Sequence, residues 1–229
     1  AIAANDPESQ AIGQRAVTTT RLATQEAGWN DDTWRQLGRV LQHTGDYPEA
    51  RLAWAEAWRR NPTSSTTARA YAQLLLQPGG DQLRAARVLR TAAQEHREDS
   101  MLVEDWLSVE SAFGDRGLAV NERRMLRKTD PGNKANLIRL AGLLVSLEPT
   151  FELMQSTDSG ERVSARQWLA MPSEEQQGLL RELVSQWKAE AGEILDTLVD
   201  GPDGTLNLLL MHASVLNDIG RRTVMLDRL

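Results

Sequence analysis

Apolar residues recur along much of this chain at spacings of three and four, the pattern of helices that bury one face. The pattern is clearest between Asp31 and Pro62. With Asp31 as position 1, small or apolar residues occupy positions 4, 7, 8, 11, 20, 24 and 27: Trp34, Leu37, Gly38, Leu41, Ala50, Trp54 and Ala57. Gly45 stands between the two halves, where a helix ends at a residue that tolerates positive φ. These positions predict two helices joined by a turn at residues 45–48.

The same pattern returns 69 residues later, where Gly45, Ala50 and Pro62 are matched by Gly114, Ala119 and Pro131. A shift of this size equals two periods of 34 residues plus one extra residue. A middle unit therefore begins near Ser65, and positions 4, 7, 8 and 11 again hold small or apolar residues: Ala68, Tyr71, Ala72 and Leu75. The recurrence predicts units near 31–64, 65–99 and 100–133, with the first helix of a fourth from Lys134.

These residues resemble the tetratricopeptide repeat, whose signature is W-x₂-L-G-x₂-Y…A-x₃-F…P. The first unit carries it as Trp34, Leu37, Gly38, Leu41, Ala50, Trp54 and Pro62. The later units depart from it, since neither has a Trp at position 4 and Arg97 replaces the closing proline of the second. The resemblance implies an all-α fold, an α-solenoid of stacked antiparallel helix pairs wound into a right-handed superhelix.

The two ends of the chain deviate from the repeat. Residues 1–30 are predicted to hold one N-terminal helix, a half repeat that precedes the array of 31–149. Residues 150–229 are predicted to form a divergent helical region that ends in a partial repeat, marked by Leu209, His212, Ala213, Leu216 and Gly220. We expect short and long helices near 162–170 and 174–199, and we expect the chain to be a segment of a longer polypeptide.

The predicted 174–199 helix carries a stripe of apolar residues at alternating spacings of four and three: Leu180, Val184, Trp187, Ala191, Ile194 and Leu198. Two interpretations fit a stripe of this kind. It can pack against other helices of the same chain, or it can form the seam of a dimer and mediate self-association.

Composition and motifs argue against several classes of function. The chain has 229 residues, no cysteine and a net charge of −6, which disfavours a nucleic-acid binder. It contains no metal-binding, nucleotide-binding or nucleophile motif, and its three histidines lie far apart. We therefore expect no enzyme activity, no cofactor and no metal. Since no apolar run is long enough to span a bilayer, we expect no membrane insertion. The compartment is left open between cytoplasm and periplasm.

In proteins that contain this repeat, positions 2, 5, 9 and 12 face the concave groove. The resemblance therefore implies partner-binding roles for six residues at or beside such positions: Arg35, Arg39, His43, Arg69, Gln73 and Glu104. The arginines suit an acidic stretch of a protein partner, and Glu104 is expected to neutralise part of the Arg69 charge. The lysine and asparagine clamp with which some such proteins grip chaperone tails is absent here.

These observations favour a non-catalytic scaffold that binds a protein or peptide in the groove of the superhelix. The alternative is an accessory repeat region of a larger enzyme, or of a bacterial envelope or secretion protein, whose active or membrane domain lies outside this chain. Both interpretations predict the same fold.

Overall fold

A computed structural model of the chain describes residues 7–157, 163–199 and 206–218. Throughout these ranges the regular structure is α-helical. The helices are α1 Pro7–Glu26, α2 Asp31–Thr44, α3 Tyr47–Arg60, α4 Ser65–Leu75, α5 Gln82–Glu95, α6 Ser100–Phe113, α7 Arg116–Thr129, α8 Lys134–Ser146, α9 Phe151–Ser156, α10 Ala165–Ala170, α11 Ser173–Val199 and α12 Leu206–Asp218. The chain divides into two compact units, an N-terminal unit of residues 1–114 and a C-terminal unit of residues 115–229.

The helices of the array begin at short polar residues, each of which caps the helix that follows. The side chains of Asn30, Asp46, Ser64, Asp81, Asp99, Asp115 and Asn133 all accept a hydrogen bond from a backbone N–H in the first turn. Capping satisfies an N–H group that has no partner within the helix. The regular return of these caps explains why the helix starts follow the sequence period so closely.

The turn at Gly45 forms as the sequence predicts. Gly45 ends α2 in the left-handed conformation with φ 84°, which costs glycine little because it has no Cβ. Asp46 then caps α3, and Pro48 lies in the first turn, where its missing N–H is not needed. The predicted helix pair of the first unit is confirmed.

Small residues let the helices of the N-terminal unit approach closely. Ala50 and Ala57 of α3, and Ala85 and Ala92 of α5, are fully buried at their crossings with neighbouring helices. Successive helices from α1 to α6 pack against one another in chain order. The N-terminal unit is therefore a stack of antiparallel helices, the all-α solenoid arrangement predicted from the repeat.

The C-terminal unit is built around α8 and α11, which pack together, with α12 against α11 and α7 against α8. Ala119 is fully buried, as its repeat position requires. The helices α9, α10 and α11 have 6, 6 and 27 residues, so the regular helix pairs do not continue into this irregular region. Arg124 of α7 helps to join these parts: its guanidinium bonds the Glu190 carboxylate and the Thr157 carbonyl.

The apolar stripe of α11 is used within the chain. Trp187, Ala191, Ile194 and Leu198 belong to one buried cluster with residues of α8 and α12. The intramolecular interpretation thus accounts for these four residues of the stripe, while Leu180 and Val184 are only half-buried. His212 of α12 is also buried, with Nε2 2.9 Å from the Asp196 carboxylate, and is a core residue.

The ends of the short helices differ from the sequence pattern. The sequence suggests a capping box at Ser173 and Gln176, but Ser173 is already the first residue of α11. Gln176 donates instead to the carbonyls of Trp168 and Met171, and the capping box forms at Ser164 and Gln167. Both sites have the same Ser-x-x-Gln spacing, so spacing alone could not choose between them.

Several predicted features lie outside the described residues: the chain start at residues 1–6, residues 158–160 of a loop predicted at 156–160, a turn predicted at 201–204, and Gly220. The side chains of Leu209 and Leu216 are likewise not described. The domain boundaries predicted at residues 30 and 149 stay predictions.

Candidate partner-binding groove

The α4 helix presents two different faces, which follow from its sequence period. Ala68, Tyr71, Ala72 and Leu75 point into the helix stack and are buried. The opposite face carries residues at spacings of three, four and three, namely Thr66, Arg69, Gln73 and Leu76. These are the four groove positions that the repeat predicts for the second unit.

All four of these residues line a pocket of about 630 Å³ in the N-terminal unit. The remaining walls come from α4, α5 and α6: Ala70, Ala72, Leu89, Asp105, Ser108 and Val109. Alanines and a serine stand where larger side chains would fill the space. The result is a depression with aliphatic walls and a polar rim, the composition typical of a ligand or peptide site.

An ion pair forms part of the rim. Nε of Arg69 donates to Oδ2 of Asp105 at 2.7 Å, joining α4 to α6. Each side chain is about two-fifths exposed, so this is a surface pair of modest strength. Sequence reasoning named Glu104 as the acidic neighbour of Arg69 and missed Asp105. The signal that could have found it is its spacing, because Asp105 lies three and four residues before Ser108 and Val109, on the same helix face.

Arg35 lies at the edge of this site and is already bound on several sides. Its guanidinium pairs with Asp32 and lies 3.6 Å from Asp31, one turn earlier on α2. Nη1 of Arg35 also donates to the hydroxyl of Thr66 at 3.2 Å, which connects α2 to the pocket-lining face of α4. Much of the Arg35 charge is therefore compensated within the chain.

The other predicted site residues divide into two groups. Gln73 lines the pocket together with Arg69, while Arg39, His43 and Glu104 are not among its lining residues. Arg39 and His43 are exposed on α2, and neither has a carboxylate partner among the described residues. Glu104 accepts a hydrogen bond from the Ser108 hydroxyl at 2.9 Å. Their assignment to partner binding stays a prediction.

Two shifted pKa values in the N-terminal unit have structural causes. Hydrogen bonds from Arg60 and Arg59 lower the pKa of Glu56 against the opposing effect of burial. Burial raises the pKa of Tyr71, and the charges of Arg84 and Arg51 partly offset this rise. Neither residue lines the pocket. Among the described residues, no group of three histidines or acidic residues is placed to hold a metal ion.

The fold defines a helical-repeat protein, an α-solenoid. Its pocket is lined by residues of α4, α5 and α6. No helix in the described part of the chain is both long and apolar enough to cross a membrane.

Solved protein structures include helical chains with a similar fold. A chain in the solved structure of Naa15/Naa10 bound to HypK-THB aligns with a TM-score of 0.48 and 16% sequence identity, covering 94% of this chain. The alignment covers 33% of the other chain, so this chain spans about a third of its length. No family model matches the sequence, and no curated protein matches it.

Proposed function

We propose that this chain is a non-catalytic protein-interaction module that binds a segment of another protein in the groove formed by α2, α4 and α6. The observation that carries the proposal is the pocket between α4 and α6, whose lining includes all four groove positions of the second repeat. Two charged side chains at the pocket, Arg69 and Asp105, are paired with each other across α4 and α6.

The pocket walls suggest what the partner segment contributes. Half-buried Leu76 offers aliphatic surface, with Leu89 and Val109 buried in the wall behind it. Burying a side chain such as leucine against an apolar wall contributes about 1.5–3 kcal/mol. Gln73 and Ser108 stand at the rim, where an amide and a hydroxyl can bond the backbone of an extended segment. The pocket therefore suits a peptide that inserts one apolar side chain and passes its backbone over the rim.

Charge has a smaller part in the groove than the sequence suggests. Arg35 and Arg69 already face carboxylates of their own chain, so a partner carboxylate has to compete with Asp32 or Asp105. Arg39 and His43 are the exposed groups that remain for an acidic stretch of the partner. Self-association through α11 is not part of this proposal, since four residues of its stripe, Trp187, Ala191, Ile194 and Leu198, are buried inside the C-terminal unit.

The proposal is tested in two steps. A photo-crosslinking amino acid in place of Gln73 is expected to capture a partner protein in cells. The same crosslinking amino acid in place of Ser185, an exposed residue of α11, is expected not to capture that partner. The captured protein is then purified and its affinity for the full chain is measured by calorimetry.

Filling the pocket gives the decisive variant. Ser108→Trp places an indole in the pocket and is expected to weaken binding about tenfold or more, because it replaces the inserted side chain. The control Ser185→Trp makes the same change on an exposed α11 position and is expected to bind normally. Unchanged affinity of a folded Ser108→Trp protein refutes the groove as the binding site.

A further inference from the structure

A second surface of the N-terminal unit, on α3 and α5, combines exposed leucines with arginines. We define the α3–α5 face by Arg51, Leu52, Leu83, Arg84 and Arg87. Leu52 is 69% exposed and Leu83 is 60% exposed, high values for leucine in a packed unit. On α5, Leu83 and Arg87 are four residues apart and Arg84 lies beside them, so the three share one side of the helix.

Arg51 of α3 and Arg84 of α5 both reach the region around Tyr71 of α4. Nη1 of Arg51 donates to the carbonyl of Gly79, in the turn that precedes α5, at 2.9 Å. The guanidinium of Arg84 lies 5.5 Å from the centre of the Tyr71 ring. Both arginines act on the Tyr71 hydroxyl, where they oppose the rise in pKa that burial causes. The two guanidiniums are therefore held in one region of the surface.

The positive charge of this face is not compensated in the way that it is elsewhere. Among the described residues, Arg51, Arg84 and Arg87 have no carboxylate partner, whereas Arg35, Arg60, Arg69 and Arg90 each have one. The acidic residue at this end of α5 is Asp81, which caps the helix through the backbone N–H of Arg84. Glu49 of α3 is paired with Arg21.

We propose that the α3–α5 face binds an acidic amphipathic helix of a partner protein. The apolar side of such a helix covers Leu52 and Leu83, and its carboxylates pair with the guanidiniums of Arg84 and Arg87. Covering the leucines also lowers the local dielectric, which strengthens these charge-assisted hydrogen bonds. This site is separate from the pocket in the groove, which is lined by α4 and α6 with Leu89 of α5.

The observations favour a protein helix over a nucleic acid or an anionic membrane. Three arginines interleaved with leucines match a partner with both apolar and acidic positions, whereas a polyanion would leave the leucines uncovered. The net charge of −6 also repels an extended polyanion at distances beyond the contact. Nucleic acid and anionic vesicles are accordingly used as competing probes in the test.

The test uses two synthetic peptides of identical composition, each about 18 residues, or five helical turns. One places leucines and glutamates on opposite sides of a helix, and the other scrambles them. Fluorescence anisotropy with the full chain is expected to show binding of the amphipathic peptide that weakens with salt. The scrambled peptide is expected to bind about tenfold more weakly, because it cannot cover the leucines while pairing its carboxylates.

Matched variants locate the site. Arg84→Gln/Arg87→Gln is expected to weaken binding of the amphipathic peptide about tenfold or more. Arg15→Gln/Arg181→Gln removes the same charge from two exposed positions elsewhere and is expected to leave binding unchanged. Leu83→Ser is expected to weaken it, while Leu169→Ser, at a leucine that is 82% exposed in the C-terminal unit, does not. Circular dichroism checks that every variant is folded.

The inference is overturned by no binding of the amphipathic peptide, by equal binding of the scrambled peptide, or by equal losses in the test and control variants. Binding of duplex DNA or phosphatidylserine vesicles in place of the peptide also overturns it. Ser108→Trp is expected to leave peptide binding unchanged. Failure of the α3–α5 face to bind the amphipathic peptide is therefore distinguishable from failure of the groove to bind its partner, since Ser108→Trp affects only the groove.

Discussion

The indole of Trp54 occupies the space beside Gly38 in which any other residue would carry its Cβ. A Cβ built on Gly38 would lie 2.6 Å from the indole Nε1, well inside van der Waals contact. The same Nε1 donates to the side-chain carbonyl of Gln42 at 2.8 Å, one turn further along α2. The pair fixes how closely α2 and α3 approach, and it explains why positions 8 and 24 of the first unit hold glycine and tryptophan.

Gly38→Ala is expected to destabilise the protein by about 1–3 kcal/mol, because the added methyl group displaces a buried indole. Gly178→Ala is the control, since a Cβ there meets nothing within 4 Å. It lies inside α11 and is expected to stabilise by about 0.5–1 kcal/mol through helix propensity. Urea midpoints of the two variants measure both effects, and a shift in the same direction would contradict the packing argument.

Ala50→Trp is expected to destabilise the protein more than Trp58→Ala. Ala50 is fully buried where helices cross, and overpacking such a site costs about 1–3 kcal/mol or more. Trp58 is only half-buried at the end of α3 and can be truncated without opening the core. Urea denaturation orders the two variants. The reverse order would show that the register of the first repeat is wrong.

Glu110→Ala is expected to cost about 3 kcal/mol, since it removes a charge from a buried hydrogen-bonded set. Glu110 is fully buried and accepts from Nε1 of Trp106 at 2.9 Å and from the guanidinium of Arg90. Without it, the indole N–H loses its acceptor. Thermal unfolding measures the loss of stability of Glu110→Ala against that of the exposed control Glu175→Ala. A loss near zero for both variants would refute the prediction.

The stability contributed by Glu56 is expected to depend on pH. Because hydrogen bonds from Arg60 and Arg59 lower its pKa below 4.5, its contribution is present above that value and is lost as pH falls through the lower folded-state pKa. Glu56→Gln should therefore destabilise the protein at neutral pH, with a difference that shrinks in acid. Denaturation across pH measures it, and Glu182→Gln, at an exposed position, should show no such trend. A difference that grew in acid would mean that the sign of the shift is wrong.

The repeat period predicted which residues share a helix face, and the structure confirms this for the array. Trp54, Ala50 and Leu41 are buried, and the four groove positions of the second unit lie together at one pocket. These features depend on neighbours within one helix or one helix pair, where 3.6 residues per turn and a regular cap decide the geometry. The sequence therefore determined the fold class and the shared helix face of the second unit's four groove positions.

Contacts between helices were decided by the tertiary structure. The ion pair of Arg69 with Asp105, the reach of Arg35 to Thr66 and the presence of Leu89 in the pocket all depend on how far one helix is displaced along its neighbour. A displacement of one residue, about 1.5 Å, changes which side chains meet. Packing also decided between the two interpretations of the α11 stripe, since Trp187, Ala191, Ile194 and Leu198 lie in a buried cluster of the same chain. The sequence by itself determined the helices and their buried faces. Only packing decided which arginines of the array are paired across helices and which remain exposed, because such a partner lies on a neighbouring helix and the residue period of a single helix does not fix the offset between helices.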